Sequence, residues 1–325
     1  MELKNWYPVS LSKDLDKYLC RWIYFANTPL TDPFFEESWS KVMSHQINSK
    51  SFKIWSSLEM MHQWSREMES IPPKAIIFHA SRCGSTLLAQ LLGLSTKHIS
   101  LAEVPFFDDL LRRYFHAQKE QKEELLQFLE SAIHWYGQNR NGIEEHLFIK
   151  TDSWHFFFWK EYRQLYPTVP FALLYRHPLE IFLSHQKLKG MQAVTGVIEP
   201  EIFGMTSREI ENLSQEEYLG KVLEKFYLKI MEINAQDQHS ILLNYKEGMM
   251  DIIEKFYSFI GLPMEQAERG KFYERQQFNA KHPQKIFSED LPKKAVPIYL
   301  QRSLQLYSEL EQMRLKDRRT ESPKI

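Results

Sequence analysis

From residue 75 onward, short apolar runs alternate with stretches whose apolar residues recur at helical spacing. The runs are Ala75–His79, Lys97–Leu101, Leu147–Lys150, Phe171–Tyr175 and Ile241–Leu243, each followed by helical sequence. Such runs suit strands buried on both faces, and their alternation with helices is the signature of βαβ units and a parallel sheet. The pattern predicts an α/β fold in three layers, a parallel sheet flanked by helices. Two helices are expected within 105–135, one over 216–234, and one over 248–260 ended by Gly261-Leu262-Pro263. Amphipathic stretches around Leu15–Phe25, Phe34–Met43 and Ser57–Met68 predict a helical N-terminal extension over 1–72, bounded by Pro72-Pro73, with the main domain over 73–325. Segment 187–215, with its scattered Gly and Pro, is expected to form an active-site loop or lid, and the charged tail from Arg314 to fray.

Composition narrows the function. With 43% hydrophobic and 26% charged residues, the chain has the makings of a soluble globular protein. A net charge of −1 gives no basis for nucleic-acid binding, so any polyanion site must be local. Two cysteines, Cys20 and Cys83, cannot form a disulfide framework, which points to a reducing, cytoplasmic setting. No run approaches the ~18 apolar residues of a membrane span, and MELKNWYPVS has no apolar leader core. The cluster His155-Phe156-Phe157-Phe158-Trp159 is expected in the core, with an apolar acceptor pocket as the alternative.

The chemistry concentrates in AIIFHASRCGSTLLAQLLGL, residues 75–94. A strand running through a Gly-containing turn into a helix start gathers unpaired backbone N–H groups and the positive end of the helix dipole, a cradle for phosphate. Against the pattern G-x-x-x-x-G-K-[ST], the first Gly is His79 and the Lys is Ser85, while Gly84 and Thr86 remain; the cation sits at Arg82 instead. A standard Mg-nucleotide hydrolase is therefore not expected. A second anion signal is LLYRHPLEIFLSH, where Arg176 ends a strand, Pro178 opens a helix and Ser184 lies about two turns in. Ligands of open parallel sheets bind beyond the strands' carboxyl ends, and Arg82–Thr86, Glu103, Asp152, Arg176 and Tyr245 all fall there.

Together these residues resemble the sulfotransferases that use 3′-phosphoadenosine 5′-phosphosulfate (PAPS), in the branch typified by the bacterial and tyrosylprotein enzymes. Arg82-Cys83-Gly84-Ser85-Thr86 is similar to that family's 5′-phosphosulfate loop, and Arg176 with Ser184 eight residues on to its 3′-phosphate pair. Phe148-Ile149-Lys150-Thr151-Asp152 resembles its strand ending in Lys-Thr-His, with Asp in place of His. Leu243-Asn244-Tyr245-Lys246-Glu247 and Ile260-Gly261-Leu262-Pro263 resemble its closing segment. The resemblance spans about residues 74–290.

It implies a P-loop-like sulfotransferase fold, PAPS as donor with 3′,5′-ADP as product, and no metal. It further implies cofactor contacts from Arg82, Cys83, Gly84, Ser85, Thr86, Arg176, Ser184, Tyr245 and Lys281, the last beside His282. Arg82 is the expected catalytic cation. Glu103 is the first choice of base, its alternative role being a carboxylate at the helix start near Pro105; Asp152 is the second. Cys83 and Tyr245 have packing roles as their alternatives, and His79, His155, His177 and His185 are read as packing or surface residues. An ATP-dependent P-loop phosphotransferase and an inactive PAPS-binding module remain open. The acceptor (small molecule, glycan or peptide) is undetermined, and residues 1–72 are a candidate homodimer surface.

Overall fold

A computed structural model of the chain describes residues 3–14, 17–49, 53–281 and 295–316. In chain order the strands are β1 (Trp6–Asp14), β2 (Lys17–Tyr24), β3 (Ile54–Ser57), β4 (Pro73–His79), β5 (His98–Ala102), β6 (His146–Lys150), β7 (Phe171–Tyr175) and β8 (Ser240–Asn244). The helices are α1 (Phe35–Val42), α2 (Leu58–Ser65), α3 (Ser85–Leu92), α4 (Pro105–His116), α5 (Lys119–Tyr136), α6 (Trp159–Leu165), α7 (Pro178–Lys187), α8 (Ser207–Ile210), α9 (Gln215–Gln236), α10 (Met249–Phe259), α11 (Gln266–Gln276) and α12 (Gln301–Lys316). All five strands expected beyond residue 73 form, and they build one parallel sheet in the order β5-β6-β4-β7-β8. From β4 the chain crosses to the edge strand β5, returns to β6 beside β4, and then continues on the other side through β7 and β8. The loop after β4 therefore follows the strand at which the order reverses, the place where α/β sheets bind ligands.

By contacts the chain divides into two compact units, one of Met1–Lys74, Ala89–Asp152 and Glu161–Pro167, the other of Ala75–Leu88, Ser153–Lys160 and Thr168–Ile325. In the first, β5 and β6 run parallel with Ala102 opposite Lys150. The N-terminal stretch departs from the helical expectation. Two helices, α1 and α2, form near the expected places, but Leu15–Phe25 contributes to β2 of an antiparallel sheet ordered β1-β2-β3. The reason is period: Tyr7, Val9 and Leu11 alternate with Pro8, Ser10 and Ser12, and Tyr7 and Val9 are buried. Pro8 is accommodated by a bulge between residues 8 and 10. Tyr7, Trp22 and Phe25 from these strands pack on Tyr136, Trp135 and Phe35, a buried aromatic cluster rather than an exposed helical face.

In the second unit, β4, β7 and β8 pair in parallel, and all five residues of both β7 and β8 are buried. The aromatic run is core. Phe156 and Phe158 are buried, and Phe156 stacks near Phe78 while Phe157 meets Phe203 and Phe226. Segment 187–215 consists of short 3₁₀ turns and α8, and it seats Ala193, Ile198, Ile202, Phe203 and Met205 in the interior. Five buried apolar side chains anchor it, so it is part of the core wall rather than a loose cover. Among the described residues no helix is long and apolar enough to cross a membrane, and Cys20 and Cys83 are free thiols.

The end of α12 is folded in, against the expectation that the chain frays from Arg314. Arg314 is buried, bonding Glu311 at 2.9 Å and Glu247 at 3.0 Å, while Lys246 and Tyr175 also bond Glu311. Residues 317–325 lie outside the described residues. Burial acts to raise the Glu311 carboxyl, but hydrogen bonds from Arg314, Lys246, Tyr175 and Asn244 outweigh it and bring it down to about 2. A carboxyl lowered on folding adds stability above its unfolded value, 4.5, and loses it as pH falls through about 2. Unfolding midpoints measured across that window should fall with acid, and Glu311→Gln should flatten the slope. An unchanged slope counts against this network.

Candidate anion-binding site

The turn after β4 is strained and braced. Ser81, Arg82 and Gly84 have φ of 57°, 47° and 86°, so two consecutive non-glycine residues occupy left-handed backbone. Such residues persist only where their surroundings hold them, and they gather at ligand sites. Here the braces come from β7 and its end. The Ala80 N–H and the Cys83 thiol both donate to the Leu174 carbonyl, at 2.9 and 3.3 Å. Arg176 Nη1 donates to the Arg82 carbonyl at 3.2 Å, and the Ser81 N–H to His79 Nδ1 at 3.2 Å. The Gly84 carbonyl accepts the Leu88 N–H at 3.0 Å and so starts α3. Among the described residues, the N–H groups of Gly84, Ser85 and Thr86 and the hydroxyls of Ser85 and Thr86 have no hydrogen-bond acceptor. Five donors at a helix start suit an anion. Arg82, at the rim, donates from Nη2 to the Leu188 carbonyl at 2.7 Å.

The Cys83 side chain has the packing role given above as its alternative. Its thiol is buried and aimed at β7, and only its backbone faces the turn's task.

Arg176 is built into the same cluster. It is buried at the end of β7, its Nε bonds Glu180 at 2.7 Å, and its guanidinium lies 4.4 Å from the centre of the Tyr245 ring. Tyr227 donates to its carbonyl. The Tyr245 ring also covers Gly84: a Cβ added there would lie 2.6 Å from the ring. Gly84, Tyr245 and Arg176 therefore form a stack that ties the turn to the second cation. Burial raises the Tyr245 hydroxyl, offset in part by Arg176.

Ser184 is half-buried on α7, and the described contacts include none between its hydroxyl and Arg176. The α7 partner of Arg176 is Glu180, one turn into the helix, because an eight-residue separation along a helix outruns the guanidinium's reach. The next residue, His185, reaches the cradle instead: its Nε2 lies 3.2 Å from Ser81 Oγ. Sequence reasoning placed His185 among packing histidines and missed this contact, which depends on how α7 docks. Burial, then Arg82, then Lys281 lower the His185 imidazole to about 3. The Lys281 charge is the smallest of these three influences, and His282 lies outside the described residues.

The two candidate bases belong to the other unit and differ sharply. Glu103, at φ 53°, follows β5, and its carboxylate accepts from Lys150, whose side chain is wholly buried. The strand register explains the pairing, since Ala102 stands opposite Lys150 and the Glu103 N–H bonds the Lys150 carbonyl at 2.9 Å. Asp152 is buried; desolvation first, then the charges of Glu103 and Asp108, hold its carboxyl well above the usual carboxylate range. Burial and those neighbouring charges favour the protonated form of this carboxyl over the ionised one.

No family model matches the sequence, and no curated protein matches it. Among solved structures, the sulfotransferase domain from the curacin biosynthetic pathway is similar over 74% of this chain and 99% of its own, at 15% identity and a TM-score of 0.48. Sulfotransferase STF9 from Mycobacterium avium is similar over 78% and 79%, at 13% and 0.48. The sulfotransferase domain from the Synechococcus PCC 7002 olefin synthase is similar over 75% and 96%, at 13% and 0.49.

Proposed function

We propose that this protein is a sulfotransferase that binds PAPS and transfers its sulfuryl group to a hydroxyl or amine. The observation that carries the reading is the stack of Gly84, Tyr245 and Arg176, with the Arg176 guanidinium bonded to the Arg82 carbonyl. It joins a five-donor anion turn to a second buried cation, the arrangement a doubly phosphorylated nucleoside needs. The bound donor supplies an activated sulfuryl group with a phosphate as its leaving end. The N–H groups of residues 84–86, the Ser85 and Thr86 hydroxyls and Arg82 hold the 5′-phosphate and stabilise the charge that grows there. Arg82 does so by exchanging the Leu188 carbonyl for the ligand. Arg176 holds the 3′-phosphate while sharing its guanidinium with Glu180, a task that suits arginine's fixed fork better than lysine's point charge. Tyr245, Ser184 and Lys281 are assigned to the nucleoside side of the same unit. For the acceptor proton we assign Glu103 over Asp152, because burial and the charges of Glu103 and Asp108 favour the protonated form of the Asp152 carboxyl.

The test is calorimetry with 3′,5′-ADP against ATP–Mg. Wild type is expected to prefer 3′,5′-ADP, and Arg176→Ala to weaken that binding about tenfold or more while leaving ATP–Mg little changed. Preference for ATP–Mg would transfer the proposal to the phosphotransferase reading.

A further inference from the structure

The Ser81 hydroxyl is not among the groups that the loop motif singles out, yet its surroundings fix its polarity. Ser81, His185 and Gln192 are all buried. The Gly190 N–H donates to His185 Nδ1 at 3.1 Å, so a neutral ring carries its proton on Nε2. Burial and the Arg82 and Lys281 charges keep that ring neutral. His185 Nε2 then donates to Ser81 Oγ at 3.2 Å, and Gln192 Nε2, 3.4 Å from the ring nitrogen, donates to the same oxygen at the shorter distance of 2.5 Å. A serine oxygen has two lone pairs and one hydrogen. With both lone pairs engaged, the hydroxyl is left as a donor, and among the described residues it has no acceptor. It sits in the left-handed turn, one residue before Arg82.

We propose that Ser81 is a further anion-binding donor of the cradle, and that His185 and Gln192 are positioning residues that aim its hydroxyl at the ligand's phosphate. The inference rests on the anion-binding reading of this loop but goes beyond the motif, which it extends by one donor and two supporting side chains from the α7 end and the turn after it.

The experiment measures binding of 3′,5′-ADP and of inorganic pyrophosphate by calorimetry to wild type, Ser81→Ala, His185→Phe, His185→Gln and Gln192→Glu, with melting temperatures recorded for each. Ser81→Ala is expected to weaken both ligands about tenfold, the loss of one hydrogen bond to a charged group. His185→Phe should match it. His185→Gln, whose amide N–H can stand where the ring Nε2–H does, should return affinity to near wild type at any melting temperature. Gln192→Glu, which cannot donate, should weaken binding. Nitrogen NMR of the wild type should show the His185 proton on Nε2. Wild-type affinity in folded Ser81→Ala overturns the inference and leaves the PAPS reading standing. Pyrophosphate binding that depends on Ser81, without binding of 3′,5′-ADP, sustains the inference and removes the PAPS reading. If wild type binds neither ligand, both fall.

Discussion

Gly84→Ala is expected to abolish binding of 3′,5′-ADP and to destabilise the fold by about 2–5 kcal/mol, combining backbone strain with overpacking. Two independent causes act at this residue. Its φ of 86° is one that L side chains rarely adopt, and the new methyl would meet the Tyr245 ring at 2.6 and 2.7 Å and the Met249 side chain at 3.0 Å. The ring cannot yield without leaving the Arg176 guanidinium, 4.4 Å from its centre. Relief of the contact alone is testable by adding Tyr245→Ala: the double variant should recover the packing part of the lost stability and retain the strain part. Denaturant unfolding of Gly84→Ala, Tyr245→Ala and the double variant measures this. A Gly84→Ala protein within about 0.5 kcal/mol of wild type would show that the turn does not have this geometry.

Glu103→Ala should cost about 3–5 kcal/mol, since it leaves the ammonium of Lys150 buried without its carboxylate. The side chain of Lys150 has no exposure at all, so water cannot take over. Asp152 offers partial compensation. Without Glu103 it loses a repelling neighbour and keeps an attracting one, so its carboxyl moves down and can ionise beside Lys150. Glu103→Ala/Lys150→Met should recover most of the loss. A full loss in the double variant would mean that the ion pair is not its source. This has a practical bearing on the search for a catalytic base: Glu103→Gln, which keeps an oxygen facing Lys150, is the variant whose turnover can be interpreted, whereas Glu103→Ala confounds chemistry with folding.

Much of the sheet was legible because buried parallel strands are nearly uniform in chemistry. Phe171–Tyr175 forms a strand over the very span expected, and the other four differ from expectation by two residues or fewer at either end. The cradle was legible for a local reason: a strand, a glycine turn and a helix start are contiguous in sequence. The N-terminal strands were hidden behind their aromatic residues. In β2 both Trp22 and Ile23 are buried, so the run imitates a helix face, whereas the alternation of Tyr7, Val9 and Leu11 in β1 was available to a period-two reading. What no local pattern contains is the docking of α7. Whether Arg176 meets Glu180 or Ser184, and whether His185 meets solvent or Ser81, is decided by how a helix rolls on its neighbours. Lys150 lay between these cases, since its pairing with Glu103 follows once the β5–β6 register is known.

The bond from Arg82 to the Leu188 carbonyl has a thermodynamic corollary. Leu188 and Met191 are 62% and 52% exposed, so the stretch that restrains the guanidinium is itself accessible. On the proposed reading, an anion that drew Arg82 inward would unfasten that stretch, and a molecule grasping Leu188 or Met191 would alter the work of releasing Arg82. Linkage makes the two effects equal in free energy. An apolar acceptor seated there would thus tighten or loosen the donor by the same factor by which the donor changes its own hold, making order of addition irrelevant to the final complex.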